Sequence, residues 1–203
     1  MQLPSTESDR RDRSAGEGGL SITWLGHSTF LLQSPRGVRL LFDPWLGSNP
    51  ACPPDKRRIE ALQLILITHG HSDHCEDAVA VGRAAGATVV ATPELAGWLE
   101  QKGLRNLKPM NIGGRLLVHG LTVTMVQAVH SSSAVEDGRS VYLGPATGYV
   151  VRFEDGQTIY FAGDTALFGD MRLIGELHKP HVAFLPVGDR YTMGPEDLSL
   201  IHI

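Results

Sequence analysis

The amino-acid sequence predicts an α+β layered sandwich with its helices on the outside. Three observations predict it. Short β-type runs arrive in groups, a few stretches of helical spacing stand between them, and no linker divides residues 20–203. A chain of 203 residues buries roughly 70% of its unfolded surface and needs no disulfide staples. Its two cysteines, Cys52 and Cys75, form no framework and suit a reducing compartment.

Residues 1–19 hold no apolar cluster and mix both charge signs, so they cannot offset the entropy of ordering and are expected to form a disordered tail. They contain no apolar stretch of the kind a secretory signal needs, and a cytoplasmic location is expected. Residues 20–25, 29–33 and 38–42 read as strands, the last two joined by Ser34-Pro35-Arg36-Gly37, a turn-forming tetrapeptide. A loop with Pro44, Pro50, Pro53 and Pro54 runs to about Arg58. Residues 62–68 are nearly all apolar, as in a strand covered on both faces. A helix is predicted over 76–85, a strand over 88–91, and a helix over 93–101 with Pro93 in its first turn. Residues 121–128 alternate as a strand, and 148–153 and 158–162 read as a hairpin closed by an Asp155-Gly156 turn. Residues 170–177 carry helical spacing, and 181–187 read as another buried strand.

Composition excludes some functions. Eighteen Lys and Arg against 22 Asp and Glu give a net charge of −4, so no basic stripe favours nucleic acid. No apolar run is long enough for a membrane helix. Nine histidines stand out, three of them within the segment Thr68-His69-Gly70-His71-Ser72-Asp73-His74. This segment leaves a buried strand and enters a helix, a frequent place for sites. Three imidazoles and a carboxylate on a loop made tight by Gly70 and Ser72 suit a borderline metal such as zinc. His69 and His71 can share one ion while Asp73 and His74 lean toward another. A plainer reading has Asp73 capping the helix with Glu76 completing a capping box. Four ligands from one loop cannot close two metal shells, so further donors are expected at other strand ends. His130, after the strand 121–128, and Asp164, after the strand 158–162, are the candidates.

The order Gly26-His27-Ser28-Thr29, Phe42-Asp43-Pro44, His69 to His74, His130-Ser131-Ser132 and Gly163-Asp164-Thr165 resembles the metallo-β-lactamase superfamily. Residues 110–114, 163–177 and 191–197 resemble its UPF0173 branch of small metal-dependent hydrolases, and the likeness spans residues 20–197. The resemblance implies a four-layer αββα sandwich with a dinuclear site at the sheet edges. It implies His69, His71 and His130 on the first metal, Asp73 and His74 on the second, and Asp164 bridging. Such a site runs a hydrolase on a metal-activated hydroxide, with Asp73 also a catalytic proton acceptor and an ester, lactone or phosphodiester as the small-molecule substrate. Two divalent ions are implied, zinc first, with manganese or iron as the alternatives. His27 and Asp43 match family positions near the pocket, as groups that orient ligands or face substrate, or else as an ordinary turn histidine and strand-ending aspartate. His119, His178, His181 and Cys75 receive no site role.

The family pattern continues past residue 195 through a helix and a strand to one further metal-binding histidine. Residues 196–203 are too few for a stable helix on their own. The expectation is therefore a domain over 20–203 lacking its last helix and strand, with His202 not a ligand and the second metal site weakened. Trp45 with the loop 44–58 is expected at the pocket rim, and 131–146 as a lid, these loops setting specificity. Two other functions compete: a metal-binding fragment without turnover, and a di-iron redox protein. The latter favours a carboxylate where His71 stands.

Overall fold

Alternating apolar side chains sort themselves into three clusters, and these define the layers of the computed structural model, which describes residues 18–201. Of the tail expected over 1–19, residues 1–17 lie outside the described residues, as does His202. In the first half, β1 (Ser21–Trp24), β2 (Phe30–Gln33) and β3 (Arg39–Phe42) pair antiparallel, and β4 (Leu64–Leu66), β5 (Thr88–Ala91) and β6 (Leu107–Pro109) continue the sheet in parallel. Strands run in sequence order across this six-stranded sheet. The crossovers are helical: α1 (Ser72–Cys75) and α2 (Ala78–Ala85) between β4 and β5, and α3 (Pro93–Gln101) between β5 and β6.

The second sheet contains β7 (Arg115–Val118), β8 (Leu121–Gln127), β11 (Thr147–Arg152), β12 (Thr158–Phe161) and β13 (Val182–Phe184), in the order β13-β12-β11-β8-β7. Only β13 is parallel to its neighbour, β12, and the crossover between them is α4 (Met171–His178). A separate hairpin, β9 (Ser133–Glu136) with β10 (Arg139–Tyr142), and a terminal helix, α5 (Pro195–Ile201), complete the described chain.

Period-two alternation places each side chain. Leu40, Phe42, Leu64 and Leu66 of the first sheet face Val123, Met125, Tyr149 and Phe161 of the second, forming the central core. Phe42 and Phe161 stack across it, with centroids 4.1 Å apart and planes 8° from parallel. Leu41, Ile65 and Val89 point the other way, onto Ala78, Leu95 and Leu99 of α2 and α3. Val126, Val150 and Tyr160 likewise leave the second sheet toward Ile174 of α4. Helix, sheet, sheet and helix are thus stacked as four layers, as expected.

Several local expectations are corrected. The helix expected over 76–85 starts two residues later, as α2, with α1 a separate turn before it, because Asp77 is taken up by an earlier loop: its Oδ2 accepts the Leu46 and Gly47 N–H groups at 2.6 and 2.9 Å. Asp73 caps nothing. It stands in the first turn of α1, whose N-cap is His71, with no side-chain capping bond. Residues 131–146 are not a free lid but contain the β9–β10 hairpin. The last residues, thought too few for a helix, form α5 from Pro195. Among the described residues no helix is long and apolar enough to cross a membrane.

Candidate metal centre

Parallel pairing of β3 with β4 brings their carboxyl ends side by side, and the site grows from that edge. Asp43, just past β3, is fully buried. Its Oδ1 accepts the Thr68 N–H at 2.7 Å, and its Oδ2 accepts both the Thr68 hydroxyl, at 2.7 Å, and His74 Nδ1–H, at 2.8 Å. With its only hydroxyl proton spent on Asp43, Thr68 accepts from His69 Nδ1–H at 3.0 Å. One carboxylate thereby fixes the tautomers of two buried histidines. Both Nε2 atoms are turned into the site, that of His69 as a lone pair and that of His74 as the position a proton or a cation can take.

The second sheet is pinned to this loop by Thr147, whose N–H and hydroxyl both donate to the Thr68 carbonyl, at 3.0 and 2.9 Å. Gly163 follows β12 with φ +64°, and a Cβ there would lie 2.8 Å from Thr68 Cβ and 2.9 Å from the Thr147 carbonyl oxygen. Only glycine fits so close an approach, and this approach delivers Asp164 to the histidines. On the other side, the Thr165 hydroxyl accepts the Val129 N–H at 2.9 Å, which ties His130 to the same edge.

The expected site residues are brought together. Ligand atoms of His69, His71 and His130 all lie within 4.8 Å of one another, and so do those of His69, His74 and Asp164. His69 Nε2 and His71 Nδ1 are 3.0 Å apart. Asp164 Oδ2 stands 3.6 Å from His74 Nε2 and 3.8 Å from His130 Nε2, between the two groups. A third group joins His27, Asp73 and His74. Sequence reasoning placed His27 only near the pocket, although it is as close to Asp73 as a hydrogen bond, 3.1 Å. Asp43 stands where the orienting reading put it, behind an imidazole.

Electrostatics follow from burial and crowding. Burial, then the neighbouring imidazoles, holds His69 well below the usual histidine range; burial and His130 do the same to His71 to a lesser degree. Burial would depress His74 too, but the charge of Asp43 and hydrogen bonds with Asp164 and Asp43 outweigh it and push it up to about 10. The hydrogen bond from His27, opposed by partial burial, holds Asp73 at about 2. Burial pushes Asp164 up, but the hydrogen bond and charge of His74 prevail and leave it below the ordinary carboxylate range. Neutral His69 and His71 with facing nitrogens and ionised Asp73 and Asp164 fit a divalent cation of borderline softness. Without one, the lone pairs of His69 and His71 repel unless a proton sits between them.

A cavity of about 1010 Å³ opens onto the centre. Its walls include Phe30, Phe184, Leu185 and Val187, and neither Lys nor Arg lines it. The expected rim and lid are corrected here: of 44–58 nothing lines the cavity, and of 131–146 only Ser131 does. The wall comes instead from residues 183–188 with Tyr191 and Thr192.

A model for the beta-lactamase superfamily domain matches residues 38–202. The chain belongs to this superfamily. It is 48% identical over 181 residues to a UPF0173 metal-dependent hydrolase of Koribacter versatilis, covering 89% of this chain and 78% of the relative. Among solved structures it is similar to Igni18, a metallo hydrolase from the archaeon Ignicoccus hospitalis, with TM-score 0.77 and 35% identity, covering 90% of this chain and 76% of that one. An isothiocyanate hydrolase from Delia radicum gut bacteria follows at TM-score 0.65 and 25% identity, covering 89% and 79%. The likeness carried by the motifs therefore holds, and the superfamily member described here is a metal-dependent hydrolase.

Proposed function

We propose that this hydrolase attacks a small uncharged electrophile, an ester, lactone or isothiocyanate, at two adjacent divalent cations. In this reading His69, His71 and His130 would hold the first cation and Asp73 and His74 the second, with Asp164 offering its carboxylate to both. The carrying observation is that ligand atoms from three distant segments converge, with the Nε2 atoms of His69 and His74 turned inward by the hydrogen bonds that Asp43 and Thr68 make to their Nδ1 atoms. Imidazoles with carboxylates favour zinc, and admit manganese or iron. Bound cations of this kind supply charge that acidifies water and polarises an electrophile.

The chain's own residues supply the rest. Asp164 carries negative charge to the space between the two histidine groups, which a neutral imidazole cannot do. Asp73, half-buried and facing the cavity, remains ionised at neutral pH and is placed to take the proton of an attacking water. The wall of Phe30, Phe184 and Leu185 covers an apolar substrate body and excludes water around it. An uncharged substrate is favoured over a phosphodiester because no Lys or Arg lines the cavity to balance a phosphate. The structural neighbour named for isothiocyanate hydrolysis supports the same class.

The test is turnover of p-nitrophenyl esters, a lactone, phenethyl isothiocyanate and bis(p-nitrophenyl) phosphate, before and after chelation and in Asp164→Ala. Chelator-sensitive hydrolysis of the uncharged probes, lost in the variant, is expected. Turnover indifferent to chelation removes the metal reading. A phosphodiester rate above all the others overturns the substrate class.

A further inference from the structure

We infer that His27 is a ligand of the second cation, joining Asp73 and His74 as a neutral third donor. The inference rests on the two-cation reading above, which gives that ion only Asp73, His74 and Asp164. His27 Nε2 lies 3.1 Å from Asp73 Oδ2 and 3.3 Å from His74 Nε2. A tetrahedral ion bound at about 2.0–2.1 Å puts neighbouring ligand atoms about 3.3–3.4 Å apart, close to both separations. The third side, His74 Nε2 to Asp73 Oδ2, is 4.0 Å. His74 commits its Nδ1–H to Asp43, so Nε2 is the nitrogen it turns toward His27. Two imidazole nitrogens facing each other this way share either one proton or one cation, the arrangement already present at His69 and His71.

The backbone spends conformational strain to hold His27 there. His27 has φ +50°, in the left-handed region, and follows Gly26 at φ +99°. A Cβ on Gly26 would fall 2.8 Å from Ala51 Cβ and 2.9 Å from Asn49 Nδ2, so the loop 44–58 fixes the turn from behind. The indole N–H of Trp24 donates to the His27 carbonyl at 2.8 Å, and the Trp45 ring packs edge-on to the imidazole with centroids 5.3 Å apart. Four elements thus aim one imidazole at Asp73 and His74. For the loop 44–58, this supporting role replaces the expected place at the pocket rim.

The experiment uses the whole chain, stripped of metal and titrated with zinc against a chromophoric chelator, with cobalt absorbance as a second readout. Wild type is expected to take up two ions. His27→Ala should weaken the second by more than about 100-fold, beyond the 10–100-fold typical of a residue that merely supports a ligand, and leave the first unaltered. A smaller loss overturns the assignment of His27 alone; a wild type that takes up a single ion overturns it together with the two-cation reading. His27→Gln and the wild-type imidazole nitrogen resonances guard against a misfolded variant. The His27 Nε2 signal should move with the second zinc equivalent, and one that stays still through it overturns the inference.

Discussion

Replacing Asp43 by Asn is the sharpest perturbation of this site, because it alters one atom and leaves shape intact. Asp43 is wholly buried and accepts three hydrogen bonds, from Thr68 N–H, the Thr68 hydroxyl and His74 Nδ1–H. An asparagine keeps an oxygen for the Thr68 N–H but presents an NH2 group to the other two. The Thr68 hydroxyl can turn and accept. His74 must then accept at Nδ1, which fixes its remaining proton on Nε2, where a cation would otherwise displace it. Bonds to a charged group contribute about 1.5–3 kcal/mol each and neutral ones about 0.5–1.5 kcal/mol, so the metal-free variant should lose about 2–4 kcal/mol. For a domain of this size that lowers Tm by about 4–16 °C. Affinity for the cation at His74 should fall about 10–100-fold, as for other groups that orient a ligating imidazole. Calorimetry and zinc competition measure the two effects. A variant with unchanged Tm and unchanged zinc affinity refutes the claim that Asp43 sets the tautomers.

Two further outcomes are expected. Gly163→Ala should cost about 2–4 kcal/mol, since its Cβ would meet Thr68 Cβ at 2.8 Å in a left-handed backbone, and Asp164 should be displaced with it; a thermal melt and a zinc titration check both, and an unshifted melt contradicts the packing argument. Metal-free protein should lose stability as pH rises from about 6.5 toward 10. His74 is raised from 6.5 to about 10 in the fold, so its contribution is complete below the lower value and is lost as pH passes through the upper; denaturant unfolding in the presence of a chelator reads this, and stability that rises over the window goes against it.

The layers were legible because period-two alternation survives in the strands that make the core. The nearly all-apolar segment over 62–68 announces β4, covered by Leu95 and Leu99 on one face and Tyr149 and Phe161 on the other. The elements that were missed lack such a pattern. β6 holds Lys108 and Pro109 at the sheet edge, β7 and β10 are largely exposed, and their side chains carry little information about facing. Helix α5 is seven residues long with no buried residue, so although Pro195, Glu196 and Asp197 suit a helix start, no apolar face supports it. The late start of α2 is hidden for a different reason. It depends on Asp77 accepting backbone donors 30 and 31 residues earlier, a tertiary contact that no local window contains.

The same distinction explains the site. Donors packed into a seven-residue segment reveal themselves by spacing, and His130 and Asp164 add to them by falling just past strands. The geometry that makes them useful is written elsewhere. Asp43 gains meaning only once β3 lies parallel to β4, since that pairing sets its carboxylate beside Thr68 and His74. His27 depends on the Gly26 turn being wedged by Ala51 and Asn49, and the cavity wall on β13 returning beside β12. Ligand identity is therefore a local property of the chain, whereas tautomer, reach and substrate fit are properties of sheet pairing. It follows that substitutions at Thr68, Thr147 or Gly163, none of them a candidate donor, should weaken metal binding about 10–100-fold, less than loss of a ligand but well above a surface change, because each holds one sheet edge at its distance from the other.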